Sequence, residues 1–426
     1  MSMVGLRAHA AFDVEALRAD FPTITPDQIY LDSVASSLTP IPVVEAMSEY
    51  YLKFRANIHR GTYDLSMRAS ERFDEAVRAV AGFLGAAPEE IVFTQNTTHS
   101  INLVAHTLDF EPGDEIILSN LEHTSNMAPW VHLAKEKGLE LRWYAADRDG
   151  SFDVEEFARL FSPRTKLVTL TYISNVLGTV VPVEEVGRLC REHGVLFLVD
   201  AAQAVPHIPI DVRRLDCDFL AFSGHKMLGP TGIGVLYIKL KHAVEMTPGM
   251  LGGGTIDTAN CECPSLEECS IDYCSFTDLP HKWQAGTPPI AEALGLQAAI
   301  GYLQEVGLDR LAAYEHGLMQ RLLQGLTEIR GVDLYGPADA DQRIGIVSFN
   351  VGTIPPEEIG RILNERHGIA VRAGQHCAVN YFNFDDVQGV GHAAGNVRAG
   401  LYLYNTTAEI ERFLEAVDEV ASVLVR

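Results

Sequence analysis

The chain has 426 residues, with 33 Lys or Arg against 57 Asp or Glu and a formal charge of −24. A 47% hydrophobic fraction over that length supports two or three domains with real cores and excludes a disordered chain. The acid excess argues against nucleic-acid and anionic-membrane binding, and no apolar run is long enough to span a bilayer.

Helical and strand patterns alternate, which predicts an α/β fold with a mostly parallel sheet. Near the start, Met1 to Pro22 carries Arg7, Asp13, Glu15, Arg18 and Asp20 and no signal-peptide core. Glu71 to Leu84 spaces Phe73, Val77, Val80 and Leu84 as one face of a helix. Short apolar runs follow at Ile91–Phe93, Ile116–Leu118, Leu167–Leu170, Val195–Val199 and Phe219–Phe222, the pattern of strands buried on both faces. Several end abruptly in polar residues: Thr94 to Thr98, Ser119 to His123, Asp200, and Ser223 to Lys226. Ligand sites in open α/β sheets lie at the carboxyl ends of strands, so chemistry is expected there.

Between Gly249 and Pro289 the composition changes to a Gly252–Gly254 run, clustered cysteines and several prolines with no sustained period, which reads as an extended loop. Beyond it, Ile344 to Val351 reads as a strand and Pro355 to Arg366 as a helix. A capping box, Thr406-x-x-Glu409, opens a last helix with Ile410, Phe413, Leu414, Val417 and Val420 on its buried face. The expected organisation is an N-terminal segment (1–30) packed on a small C-terminal domain (291–426), with a large domain (31–290) containing a Cys-rich excursion at 255–284.

Lys226 alone would read as a surface lysine in a turn. Asp200 changes that reading, because a carboxylate ending an apolar strand is costly without a cationic partner. A pyridinium nitrogen is such a partner, and pyridoxal phosphate enzymes pair an Asp with it and a Lys with the cofactor aldehyde. The 26 residues from Asp200 to Lys226 allow one crossover and a strand, so both can face one site.

At this point Val199-Asp200-Ala201-Ala202-Gln203 with Ser223-Gly224-His225-Lys226 resembles the fold-type I, class V aminotransferase group. Further motifs agree: Asn57-x-His59-Arg60-Gly61, Thr97-Thr98-x-x-Ile101-Asn102, Ser174-Asn175-Val176-x-Gly178-Thr179, Ala285-Gly286-Thr287-Pro288, Arg372-x-Gly374-x-His376-Cys377-Ala378 and Arg398-Ala399-x-Leu401-x-x-Tyr404-Asn405. Together they resemble the group II, SufS-like cysteine desulfurases, which also show selenocysteine lyase activity. The resemblance implies a large domain with a seven-stranded sheet and a smaller α+β domain carrying the catalytic cysteine. It implies that Lys226 forms the Schiff base, Asp200 holds the ring nitrogen protonated, Gln203 bonds the ring phenolate oxygen and His123 stacks on the ring. Thr97, Thr98, Ser223 and His225 would serve the phosphate, with Thr287 reaching it from the neighbouring subunit of a homodimer. Arg398 would clamp the substrate carboxylate, with Asn175 and Arg372 nearby, and Cys377 would take the sulfur of L-cysteine as a persulfide for a sulfur-acceptor protein and iron–sulfur or other thio-cofactor assembly. Arg372 and His376 are the expected cationic helpers of the Cys377 thiolate. Alternatives within the same cofactor chemistry are a selenocysteine lyase, a C–S lyase or an epimerase.

Of the seven cysteines, an odd number that argues against a secreted scaffold and for a cytoplasmic enzyme, Cys190 and Cys217 read as packing. Cys261, Cys263, Cys269 and Cys274 fall within fourteen residues and depart from the family pattern. Four thiolates flanked by Glu262, Glu267, Glu268 and Asp272 are expected to bind zinc or an iron–sulfur cluster, which would make a metal-carrying sulfur-relay protein the alternative reading. The competing reading of this quartet is a disulfide-paired or reactive loop.

Overall fold

The computed structural model describes residues 12–424, apart from 148, 262–264, 266–269, 271–273 and 384–394. Its central sheet has seven strands: β1 (Ile91–Thr94), β2 (Glu115–Ser119), β3 (Glu140–Tyr144), β4 (Thr165–Thr171), β5 (Leu196–Asp200), β6 (Phe219–Ser223) and β7 (Gly234–Ile238). They lie in the order β1-β7-β6-β5-β4-β2-β3. Only β7 runs against its neighbours, pairing antiparallel with β1 and β6. Every residue of β1, β2, β5 after Leu196, β6 and β7 is buried, as continuous apolar runs with helices on both faces require.

The helix expected from Glu71 begins earlier and spans Asp64–Leu84, closing on a left-handed Gly85 cap at φ 68°. Its first turns carry exposed Leu65 and Met67, so the apolar stripe that marks the helix in the sequence starts late. Between the two sheets the expected loop holds an antiparallel pair, β8 (Ile256–Cys261) and β9 (Cys274–Phe276), with a register shift at Cys274/Ser275.

A second sheet is antiparallel throughout, with β10 (Val332–Tyr335), β11 (Ile346–Val351), β12 (Arg372–Gly374) and β13 (Asn396–Gly400) in the order β10-β11-β13-β12. The helix Pro356–His367 and the last helix, Thr407–Leu424, pack on it through Ile359, Leu363, Ile410, Phe413 and Val417. The capping box forms in both directions: Thr406 N–H donates to Glu409 Oε2 at 3.1 Å and Glu409 N–H to Thr406 Oγ1 at 3.2 Å. At the N-terminal helix Val14–Arg18, Arg18 bridges the Tyr404 carbonyl (2.6 Å) and Glu409 (2.8 Å), and Phe12 stacks on Tyr314. The two sheets meet at Gly178, where φ is 72° and a Cβ would stand 2.9 Å from the Ile346 carbonyl oxygen, so the turn after β4 needs glycine.

Candidate active site

Because β1, β2, β4, β5 and β6 all point the same way, their carboxyl ends share one edge of the sheet. The cleft there has a volume of about 310 Å³, and its far wall comes from β12, β13 and the turn at Cys377. It collects Thr97, Thr98, His123, Asn175, Asp200, Gln203, Ser223, His225, Lys226, Arg372, Cys377 and Arg398, the predicted residues that the chain's own cleft can hold. Thr287 lies apart from it and is exposed.

Asp200 ends β5, 4% exposed, with Oδ1 accepting from Ala202 N–H at 3.0 Å. Burial raises its pKa, against the pull of Lys226 and that amide. Lys226 sits in a single 3₁₀ turn directly after β6, and desolvation pushes its pKa down to about 8 even with Asp200 near. His123 is neutral: burial, then the charges of Lys226 and Arg398, push it down to about 3. Its Nδ1 accepts from Ser125 N–H at 3.0 Å, which leaves the proton on Nε2. His225 is pushed down to about 4 by burial and Lys226.

Thr97 opens an eleven-residue helix whose N-cap is Asn96. Its N–H donates to Ser223 Oγ at 2.9 Å and the two hydroxyls share a bond of 2.7 Å, tying β6 to the helix N-terminus. Thr98 is exposed there and bonds Ser125 Oγ at 2.7 Å. Gln203 donates from Nε2 to the Val34 carbonyl at 2.9 Å. Ser37 Oγ donates to the His225 carbonyl at 3.1 Å and accepts from Leu228 N–H at 2.8 Å, so the segment after Leu31 walls the cleft.

On the opposite wall Arg372 and Arg398 stand directly across from each other on β12 and β13. Like charges so placed repel. Asp32, which sequence reading missed, answers both: it forms a parallel bridge with Gly400, accepts from Arg372 three times (Nε to Oδ1 3.1 Å and Oδ2 3.3 Å, Nη2 to Oδ2 2.9 Å) and lies 3.6 Å from Arg398 Nη2. Arg398 is 3% exposed and burial pushes its pKa down to about 10. Its Nη1 donates to the Asn175 carbonyl at 2.8 Å, while its Nε is buried without a partner among the described residues. Such a donor calls for an acceptor of negative charge.

The turn at Cys377 corrects one expectation. His376 is not a cation, since burial pushes its pKa down to about 3. Its Nε2 lies 2.8 Å and 3.0 Å from two acceptors of Asn396, so the proton sits there, and Nδ1 is buried without a partner among the described residues. Arg372 remains a cation near Cys377, as are Arg398 and Lys226. Asn175 turns its side chain to this turn, donating to the His376 carbonyl at 2.8 Å. Cys377 is exposed with a free thiol, whereas Cys190 and Cys217 are buried free thiols whose pKa burial raises, as packing residues should be.

The quartet is a second correction. Cys274 is disulfide-bonded, so it does not offer the thiolate that a four-sulfur metal site needs. Cys261 is its register partner across β8 and β9, while Cys263, Cys269, Glu262, Glu267, Glu268 and Asp272 lie outside the described residues. Among the described residues no group of His, Cys, Asp and Glu is arranged to hold a metal ion, and no helix is long and apolar enough to cross a membrane.

Comparison with known proteins agrees with this geometry. The family model described as aminotransferase class-V matches residues 29–413. A probable cysteine desulfurase of Pyrococcus abyssi is 42% identical over 413 residues, covering 96% of this chain and 98% of that one. A cysteine desulfurase of Haloferax volcanii is 40% identical over 428 residues, covering 95% and 96%. Among solved structures, an apo cysteine desulfurase of Thermococcus onnurineus superposes with a TM-score of 0.89 at 41% identity, covering 99% of this chain and all of that one. The S-sulfonic acid form of the Escherichia coli cysteine desulfurase CsdA gives 0.85 at 32% identity, covering 97% and 100%. A match of this extent in sequence, fold and strand-end chemistry has one reading: the chain belongs to the class-V aminotransferase family.

Proposed function

We propose that the protein is a pyridoxal 5′-phosphate-dependent cysteine desulfurase that moves the sulfur of L-cysteine onto Cys377. The observation that carries this is the meeting, in one cleft, of a buried Asp200, a low-pKa Lys226, a partnerless Arg398 Nε and an exposed Cys377 thiol.

The residues present fit the cofactor. Asp200 is a buried carboxyl in want of a cation, which a protonated ring nitrogen supplies. Lys226, with its pKa near 8, keeps a share of free amine at neutral pH for an aldehyde. Ser223, Thr98, His225 and the helix N-terminus at Thr97 form a polar corner suited to a phosphate. Gln203 and His123, its proton on Nε2, supply donors between. When bound, the cofactor acts as the electron sink that lets a substrate Cα lose its proton.

The chain's own residues do the rest. Arg398 receives the substrate carboxylate at Nε, held in orientation by Asp32 and the Asn175 carbonyl. Lys226 takes and returns the proton at the substrate Cα. The Cys377 thiolate attacks the substrate sulfur: an S–S bond forms, the substrate's C–S bond breaks, and its Cβ gains a proton. L-cysteine and a thiol thus become L-alanine and a persulfide, with Cys377 oxidised and the substrate carbon reduced. A homodimer in which Thr287 of one subunit reaches the other's phosphate corner, a cytoplasmic location and a sulfur-acceptor protein feeding iron–sulfur or other thio-cofactor assembly complete the reading. The disulfide at Cys274 favours the disulfide-paired reading of the quartet over a zinc or cluster site.

The test is turnover of L-cysteine by holoenzyme and by its Cys377→Ser variant. Alanine formation lost in the variant supports the assignment, and full-rate alanine formation by it refutes Cys377 as the sulfur acceptor. Pyruvate in place of alanine would identify a lyase.

A further inference from the structure

His376 and Cys377 are consecutive non-glycine residues in the left-handed region, with φ 52° and 56°. Each such residue is strained, and the pair persists only where surroundings over-determine it. Besides the His376–Asn396 bonds, three contacts hold it from the large-sheet side of the cleft. The Asn175 amide, beyond β4, donates to the His376 carbonyl at 2.8 Å. Thr124, in the 3₁₀ turn after β2, donates twice to the Cys377 carbonyl, from its backbone N–H and from Oγ1, at 2.7 Å each.

We propose that Thr124 is a positioning residue for sulfur transfer: its paired donors on the Cys377 carbonyl hold the nucleophile's strained turn against the strand end that also carries His123. A carbonyl oxygen only accepts, so the Thr124 hydroxyl must spend its proton there, and the geometry has a donor from both backbone and side chain of one residue. Cys377 is exposed. Its place over the cleft therefore rests on its backbone, which Thr124 and Asn175 hold from the large-sheet side while His376 is anchored to Asn396 on the other. The adjacent residue also matters. Because His123 Nδ1 accepts from Ser125 N–H in the same turn, one rigid segment sets both the cleft's neutral imidazole and the position of the thiol.

This inference rests on the reading that Cys377 accepts sulfur, and the experiment separates the two. Thr124→Val removes the hydroxyl donor but keeps shape and backbone N–H, and Thr124→Ser keeps the donor. Two rates are followed after mixing holoenzyme with L-cysteine: the change in cofactor absorbance, which reports binding and Cα chemistry, and alanine release in a single turnover. Without substrate, the alkylation rate of Cys377 by iodoacetamide is measured on each variant. The loss of one hydrogen bond slows alanine release by about tenfold in Thr124→Val, with the absorbance change within about twofold of wild type and Thr124→Ser restoring the rate. Cys377 alkylation in Thr124→Val shifts from the wild-type rate, because the thiol samples more positions. Wild-type alanine release in Thr124→Val, or an equal slowing of both phases that Thr124→Ser does not repair, would overturn the proposal. Cys377→Ser run beside them distinguishes the failures: if it still releases alanine at full rate, the sulfur-acceptor reading falls, whereas an inactive Cys377→Ser with an unaffected Thr124→Val removes Thr124 alone.

Discussion

Glu122 is the most informative residue to perturb, because it is fully buried beside the site and takes no part in the proposed reaction. Its Oε1 accepts from Ser119 Oγ and its Oε2 from Asn126 Nδ2, both at 2.6 Å, and Asn126 in turn accepts from Thr169 Oγ1 at 2.6 Å. Burial raises the Glu122 pKa to about 8, more than these bonds lower it, with the Asp200 charge adding a smaller rise. The carboxyl is therefore protonated in the folded protein at neutral pH, so it adds no negative charge beside Asp200. The sign of the pH dependence follows. Between the unfolded value of 4.5 and the folded value of about 8 the folded state binds more proton than the unfolded state, so stability falls as pH rises. At 1.36 kcal/mol per pKa unit, integration from pH 5 to pH 8 gives a loss on the order of 3 kcal/mol from this group. Glu122→Gln removes the titration while an amide can still accept from Asn126 and donate to Ser119. Urea unfolding of wild type and variant is compared across that pH range, all other groups being common to both. The variant is expected to gain stability over wild type by about 3 kcal/mol on going from pH 5 to pH 8. A difference that stays flat with pH would refute a neutral buried Glu122.

Other expectations are sharper in kinetics. Asp32→Asn deprives two facing arginines of their shared carboxylate, and KM for L-cysteine should rise by about tenfold with kcat changed by less than about threefold; a change confined to kcat would contradict the substrate-orienting role. Lys226→Ala should abolish the absorbance of the cofactor's lysine adduct and turnover together, as read by spectrum and alanine assay. Cys274→Ser should leave alanine formation within about twofold of wild type and the purified protein without stoichiometric zinc or iron, by metal analysis; loss of a bound metal with the substitution would restore the metal reading.

The residues at strand ends were legible because buried parallel strands announce themselves as short apolar runs, and the polar residue that stops each run has few reasons to be there. Asp200, Lys226, His123 and Thr97 are all of this kind, and the register of β1, β2, β5 and β6 brings them together. Asp32 and Thr124 were not legible, since each acts on a partner 340 or 253 residues away and belongs to no local pattern. The charge of His376 was misread for a related reason: a histidine beside a cysteine looks cationic until its burial against Asn396 is known. The β8–β9 hairpin escaped because a bulged two-stranded ladder carries no sustained alternation. The cysteine spacing showed a cluster but not its chemistry, since a disulfide and a metal site ask for the same residues.

The most direct test of the proposed reaction is mass spectrometry of the Cys377 peptide after a single turnover of holoenzyme with L-cysteine and no acceptor. The expected result is the mass of one added sulfur atom on Cys377, removable by a reductant, with alanine formed in matching amount. Alanine formed while Cys377 stays unmodified, or added sulfur found on another cysteine, would contradict it.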